Sequence, residues 1–462
     1  MPRSIDGAVG DYGFFVGVAD RLRAGDALYE QVWDNKDPLY FYTLAIAQSA
    51  GPWGLWLLEI IWIAIASLAV YGITRKLASL SSDTSVLCAA SATPLILLGM
   101  PYFMGSTHLP GIAISLVIVA AAFRGRWILT GFLVAVLAIL KLVLLPIPLA
   151  AVAVVLLFRR SRSGLVRFVL SLGATALAFG ALLAARGELG GFLTTQVDNV
   201  RHAQAPIVNA EQSTLFYKVA QHVVILINPN IFLILVTTAV ILLAAGWQIF
   251  RVSRSESDSV RLLWWMAIAI FLAAILVIAV TGKWFHHAQA LEISSVLVFV
   301  LLVTRLSDFR NWRAWLSVPL ALVVLFLLMG GPPLSSFTEK IRTAPATWSE
   351  AQRDDPLSVL LRNRSPSTIA YVGFGNLVPR SGGLGDWDLV CRHIGQRPFH
   401  PQWMFDETLA CLPTAEMVVV TNDYGPDPAF PVYTSFVESV EEILSRDYNC
   451  EMVDGFRLCT RR

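Results

Sequence analysis

Apolar runs of about 16–22 residues recur between Trp53 and Gly331, separated by mostly short polar loops. A helix that crosses the hydrocarbon core of a bilayer needs about 20 such residues. Inside lipid, every backbone N–H and C=O must also be satisfied within the protein itself. The spacing therefore predicts a polytopic α-helical membrane protein. Composition agrees: 56% of the 462 residues are hydrophobic and 15% charged, against about 45–50% and about 25% in soluble domains. Mean hydropathy is +0.62. The 35 basic and 33 acidic residues nearly cancel, and nothing in that balance calls for a nucleic-acid partner.

About ten transmembrane segments are predicted, near 53–74, 84–100, 108–123, 127–140, 143–158, 165–185, 229–250, 262–281, 288–304 and 314–331. The fourth and fifth are short, with Pro146 and Pro148 near their junction, and read as a hairpin of partial spans. Lys and Arg in short loops mark the cytoplasmic side. Arg75, Lys76, Arg124, Arg126, Arg159, Arg160, Arg162 and Arg167 fall together, and Arg251, Arg254, Arg261, Arg305, Arg310 and Arg313 join them when ten crossings are threaded. Residues 1–52, the long 186–229 loop and the tail from 332 then lie outside the cytoplasm. Residues 1–52 are polar and carry no signal peptide, so an initial membrane helix is expected to precede them.

This threading gives four parts. Residues 1–52 form an extracytoplasmic loop with interfacial helices, 53–331 the helical membrane domain, 332–364 a Pro/Ser-rich connector, and 365–462 a small extracytoplasmic α/β domain. In the last, "STIAYVGFG" and "AEMVVVTN" read as strands, and "DWDLVCRHIGQ" and "YTSFVESVEEILSRD" as amphipathic helices. Asp454-Gly455 is a two-residue hairpin turn. Counting back from it sets Cys450 opposite Cys459 at a non-hydrogen-bonded pair, where a cross-strand disulfide fits. That leaves Cys391 with Cys411, and oxidised cysteines belong in an extracytoplasmic compartment. Cys88 lies in an apolar segment as a small core residue. The short "VGFGN" turn lacks a full GxGxxG and reads as a strand end.

The stretch "GDYGFFVGVADRLRAGDALYEQVWDNKDPLYFYTLA" holds the densest polar chemistry. Phe14, Phe15, Val18 and Leu22 mark a helix with Asp20, Arg21 and Arg23 on its polar side, as in helices that lie in a membrane interface. Tyr40, Phe41 and Tyr42 supply aromatic anchoring. Asp11 precedes the helix, where an Asp also serves as a cap, and Lys36 follows it. Asp6, Asp26, Asp34 and Asp37 are further carboxylates, Asp34 the strongest for its place two residues before Lys36.

The Asp-x-Gly start, the helix ending in "AGDALY", and "WDNKDPL" before an aromatic run resemble the first extracytoplasmic loop of GT-C glycosyltransferases. Within that superfamily they are similar to the bacterial protein mannosyltransferase and aminoarabinose transferase group. The family's Lys-Pro-Pro-Leu stands here as Lys36-Asp37-Pro38-Leu39. The resemblance implies a GT-C-like fold and transfer of a sugar from a polyprenyl-phosphate donor to an acceptor hydroxyl of a glycan, lipid or protein, with inversion. It implies Asp11 as general base and Lys36 as a cation on the donor phosphate, with no metal or other cofactor.

Lys141 sits alone in "VAVLAILKLVLLPIP". An intramembrane charge is costly and points to function, and the similar family helix assigns it to the same phosphate. "TGKWFHHAQALE" places Lys283, His286 and His287 in a very short outward loop, with Glu292 following. Adjacent histidines share no helical face, so a phosphate contact fits them better than a metal. His108, Asp198, Arg201 and His202 show no spacing that specifies chemistry. A lipid flippase or transporter would explain Lys141 equally well, but it favours internal repeats, and none is found.

Overall fold

The computed structural model describes residues 11–50, 52–77, 107–204, 258–281, 289–306, 366–373, 388–393, 402–421, 430–453 and 456–462, with scattered positions between them. Of the expected segments near 84–100 and 229–250 only Thr93 and a few positions between 238 and 246 are described; the segment near 314–331 and the loop with Lys283, His286 and His287 lie outside the described residues. The chain divides into two compact units. One comprises 1–56, 181–218 and 339–462; the other comprises 57–180 and 219–338.

The second unit is helical. It contains most of α3 (Pro52–Leu77) and α7 (Arg162–Ala185), together with α4 (His108–Phe123), α5 (Trp127–Leu140), α6 (Pro146–Arg159), α9 (Asp258–Thr281) and α10 (Leu291–Leu306). Four stretches are long and apolar enough to cross a bilayer: Leu57–Leu77, Leu142–Arg159, Arg162–Ala185 and Asp258–Val280. The helices 108–123, 127–140 and 291–301 are apolar but shorter. Helix α4 is buried almost all round and packs on α5 and α6, while α9 packs on α6 and α10. Leu57, Ile60, Ile61 and Leu68 of α3, and Leu272, Leu276 and Val280 of α9, stay exposed. Stripes at that spacing are what lipid contact requires of a helix face.

In the first unit, α1 (Asp11–Ala24) and α2 (Pro38–Ser49) pack against each other on either side of the loop that joins them. Phe15, Val18, Ala19 and Leu22 of α1 are buried, and the Phe15 ring meets Tyr40 and Phe41 edge-on at 5.4 and 6.0 Å. Tyr40 and Phe41 are thus core residues of α2. Asp20, placed by periodicity on the polar side, is buried as well.

The α/β part of this unit carries a five-stranded sheet in the order β2-β1-β3-β5-β4. Its strands are β1 (Thr368–Val372), β2 (Asp388–Leu389), β3 (Met417–Val420), β4 (Tyr448–Val453) and β5 (Phe456–Arg461). Strands β2, β1 and β3 run parallel, and β5 and β4 continue antiparallel. Alternation splits the sheet into two faces. Ala370, Val372, Val418 and Val420 pack against Phe405, Phe436 and Val440 of α11 (Gln402–Cys411) and α12 (Pro431–Asp447). Ile369, Tyr371, Met417 and Val419 pack with Phe456 and Leu458 on the other face.

The hairpin register follows the turn: Val453 faces Phe456, and Cys450 faces Cys459. Both expected disulfides, Cys391–Cys411 and Cys450–Cys459, are present. One expectation fails. "DWDLVCRHIGQ" is not a helix: Asp388–Leu389 pairs with β1, and the chain then bends through Cys391 and Arg392. Its apolar residues are held by β1 and the disulfide, partners far away in sequence that a local helical period does not register. Helix α11, unforeseen, supplies the second cysteine of that bridge.

Candidate active site

The loop from Gly25 to Asp37 is built around its own polar groups. Helix α1 ends at Gly25, at φ +107°, and Arg21 pairs with Asp26 across the turn. Tyr29 adopts φ 71°, a left-handed conformation that a bulky residue holds only when its surroundings impose it. Those surroundings are visible. The side chain is buried, its N–H donates to Val32 O at 2.6 Å, and its hydroxyl donates to Lys36 O at 2.8 Å. Burial among Asp37, Asp34 and Glu188 pushes the Tyr29 phenol well above its ordinary value, so it stays a hydrogen-bond donor.

Lys36 is 25% exposed. Its ammonium lies 3.8 Å from Asp34 Oδ1, contacts Asn35 Oδ1 and stands over the Phe15 ring at 5.3 Å. The Lys36 N–H donates to Asp34 Oδ1 at 2.9 Å, so Asp34 fixes both ends of the lysine. Asp34 and Asp37 are buried, and Gln196 donates to Asp37 Oδ1 at 3.2 Å. Asp11 is the first residue of α1. Asp20 is 8% exposed, and burial raises its carboxyl to about 6 against the opposing pull of Arg23.

Two elements of the same unit grip this loop. Helix α8 (Leu189–Gln204) offers Thr195 to Trp33 Nε1 at 3.1 Å, and Asn199 Nδ2 donates to Asn35 O at 2.8 Å. Just before it, Glu188 is fully buried and accepts from Leu28 N–H at 3.1 Å, Tyr42 hydroxyl at 2.5 Å and Arg186 Nε at 3.0 Å. From the α/β part, Arg392 O accepts from Trp33 N–H at 2.9 Å, and Arg392 Nη1 donates to Tyr29 O at 3.0 Å. Trp33 and His393 form an isolated parallel bridge, and their rings meet Trp403 edge-on. Glu407 pairs with Arg392 and lies 2.8 Å from His393 Nε2. Sequence reasoning missed Glu188 and Arg392. Glu188 had one visible signal, an acidic residue directly after an apolar run.

Burial holds the His393 ring below its ordinary value of 6.5, with Glu407 opposing. Burial also works against the Glu407 charge, yet the bonds from His393 and Arg392 bring that carboxyl down to about 2. Both folded values lie below the unfolded ones, so both contributions to stability are complete at neutral pH and are lost on acidification. His393 gives way first, as pH falls below 6.5, and Glu407 follows between 4.5 and about 2. Hydrogen exchange of peptides covering 388–411 is expected to accelerate in those two stages. A flat profile from pH 7 to 3 would show that the pair does not hold this segment.

In the second unit, α5 stops at Leu140 and Lys141 takes an extended conformation, φ −163° and ψ 77°, before a 3-10 turn at Leu142–Leu144. Lys141 is 6% exposed, and its ammonium donates to Thr107 Oγ1 at 2.5 Å. A Cβ at Gly111 would come 3.0 Å from Lys141 Cβ and 2.7 Å from Leu144 Cδ1, so the glycine lets the broken segment lie close on α4, and a larger residue would shift Leu144 and Lys141. Glu292 is fully buried in α10. Among the described residues, no three His, Cys, Asp or Glu gather as a metal centre would need.

No protein-family model matches the chain, and no curated protein sequence is similar to it. Among solved structures, the chain is similar to the single-particle structure of a mycobacterial arabinofuranosyltransferase, AftD. Identity is 14% and the TM-score 0.48, with 99% of this chain aligned to 39% of that one. At this level the likeness carries across neither a family nor an activity. What the chain itself establishes is a set of bilayer-length apolar helices joined to a disulfide-bonded α/β part.

Proposed function

We propose that the protein is an integral-membrane glycosyltransferase. It moves a sugar from a polyprenyl-phosphate donor to an acceptor hydroxyl at the extracytoplasmic face, with inversion. The acceptor oxygen attacks the anomeric carbon, the bond from that carbon to the phosphate oxygen breaks, and Asp11 takes the hydroxyl proton. Polyprenyl phosphate departs, its developing charge met by Lys36, Lys141, Lys283, His286 and His287. Fixed cations at a leaving phosphate act electrostatically and need no reorganisation during the reaction.

The observation that carries this reading is the "WDNKDPL" loop. It is locked by Tyr29, Asp34, Thr195, Asn199 and Arg392, the kind of support that a preorganised site needs. Lys141 at a helix break adds a buried cation in an otherwise apolar segment.

The test uses the purified chain in proteoliposomes with a panel of radiolabelled polyprenyl-phosphate sugars and candidate acceptors. Consumption of one donor with release of polyprenyl phosphate is expected. Movement of intact lipid between leaflets without chemical change would replace this reading with a flippase. In the same assay, Lys141→Met is expected to lower kcat/KM by about 10²-fold, the loss typical of one electrostatic contact to the developing charge. Unchanged turnover in that variant would remove Lys141 from the phosphate site.

A further inference from the structure

At one end of the helical unit, a groove of about 560 Å³ opens between the start of α5 and the first turns of α7. Arg126 and Arg167 line it together with Trp127, Ile128, Leu129 and Phe132, and with Gly125 and Ser171. The two helices meet in close backbone contact beside it. A Cβ at Gly131 would lie 2.3 Å from Phe168 O, and Ser171 Oγ donates to Ile128 O at 2.7 Å.

Three other cations at this end are used by the fold. Arg124 donates to Gly72 O, and Arg159 and Lys76 both donate to Phe123 O, each at 2.7 Å. Phe123 is the last residue of α4, so its carbonyl is one that the helix end leaves unsatisfied. Arg126 and Arg167 differ. Neither guanidinium has a hydrogen-bond or ion-pair partner among the described residues, both are exposed, and no carboxylate lines the groove. On α5, Ile128, Leu129 and Phe132 are exposed too, as are Leu165, Val166, Val169 and Leu170 of α7. Two unpaired cations above an apolar floor match an amphiphile with an anionic head and a hydrocarbon tail. Basic pockets between membrane helices suit such headgroups, and a guanidinium presents a fork to phosphate oxygens.

We infer that this groove binds one anionic glycerophospholipid, its phosphate between Arg126 and Arg167 and an acyl chain along Ile128, Leu129 and Phe132. The site stands apart from the sugar-transfer reading and does not depend on it. The loop pattern assigns these arginines to the cytoplasmic side, so the lipid would come from that leaflet.

The test measures lipid retained on the full chain in mild detergent, by native mass spectrometry, with dioleoyl phosphatidylglycerol or dioleoyl phosphatidylcholine added. One phosphatidylglycerol per chain is expected, in preference to phosphatidylcholine. Arg126→Gln with Arg167→Gln is expected to weaken retention at least about tenfold, because each basic residue near an anionic surface contributes about a factor of five to ten. The matched control, Arg160→Gln with Arg162→Gln, removes two exposed arginines at the same end but outside the groove and should retain the lipid. Equal losses in both variants would mean diffuse attraction and overturn the site, as would equal retention of the two lipids. Complete displacement by millimolar inorganic phosphate would also overturn it, by showing that the arginines take a free anion. Should the glutamine variant unfold, Arg126→Lys with Arg167→Lys keeps the charge and loses the fork. Lipid selectivity in that variant below that of the native chain supports the site, and unchanged selectivity counts against it.

Discussion

Asparagine at position 11 is expected to lower sugar transfer by about 10²–10⁴-fold, the range that a positioned general base supplies. The substitution separates the two roles an Asp can play where α1 begins. Asparagine caps a helix about as well as aspartate, so α1 keeps its start and its buried face of Phe15, Val18 and Leu22. What disappears, on the proposed mechanism, is the group that takes the acceptor's proton. The loss should therefore fall on kcat, with donor KM nearly unchanged and thermal stability preserved. Asp34→Asn provides the contrast. Asp34 holds both the backbone and the ammonium of Lys36, so its loss should loosen the phosphate contact and raise donor KM. Wild-type turnover in Asp11→Asn, together with a collapse of kcat in Asp34→Asn, would move the base to Asp34.

Glu188→Ala carries the largest expected cost in stability. The carboxylate is fully buried and answers three donors at once: the Leu28 N–H, the Tyr42 hydroxyl and Arg186. Arg186 is 39% exposed and can turn to water. Leu28 is buried, and its N–H has no such exit. Each buried polar group stranded in this way costs about 1–3 kcal/mol, so the variant should lose about 2–4 kcal/mol locally. Glu188→Gln, which can still accept, should lose less. Glu188 also raises the Tyr42 phenol, although burial is the larger cause, so that phenol should titrate lower once the carboxylate is gone. Hydrogen exchange over residues 26–37 reads the local loss directly. If protection there is unchanged in Glu188→Ala, the loop is held by α8 and Arg392 without it.

The parts of the fold legible in the sequence are those whose cause is local. Helices α4 and α5 match the expected 108–123 and 127–140 because charged and glycine residues bound each apolar run. The hairpin register was legible because a two-residue turn fixes every pair by counting. Lys141 stood out because a charge in an apolar run needs a reason, and the helix breaks at that residue. What escaped has distant causes. The residues 388–393 follow β1, the disulfide and Trp33, none of them within a helical window. Asp20 looked polar by period, but the buried arc of α1 is wider than the apolar residues alone suggest. Glu188 and Arg392 matter only through a loop that lies far away in sequence.

The bond from Arg392 to Tyr29 joins positions separated by 363 residues. During synthesis at about 5–20 residues per second, the N-terminal loop waits roughly 20–70 s before its last support leaves the ribosome, counting the 363-residue gap. Until then Trp33 has no strand to pair with, and the left-handed turn at Tyr29 is held from one side alone. The order of synthesis thus sets the order of assembly: the loop at residues 25–37 reaches its final hydrogen bonding only after the C-terminal α/β part has been made.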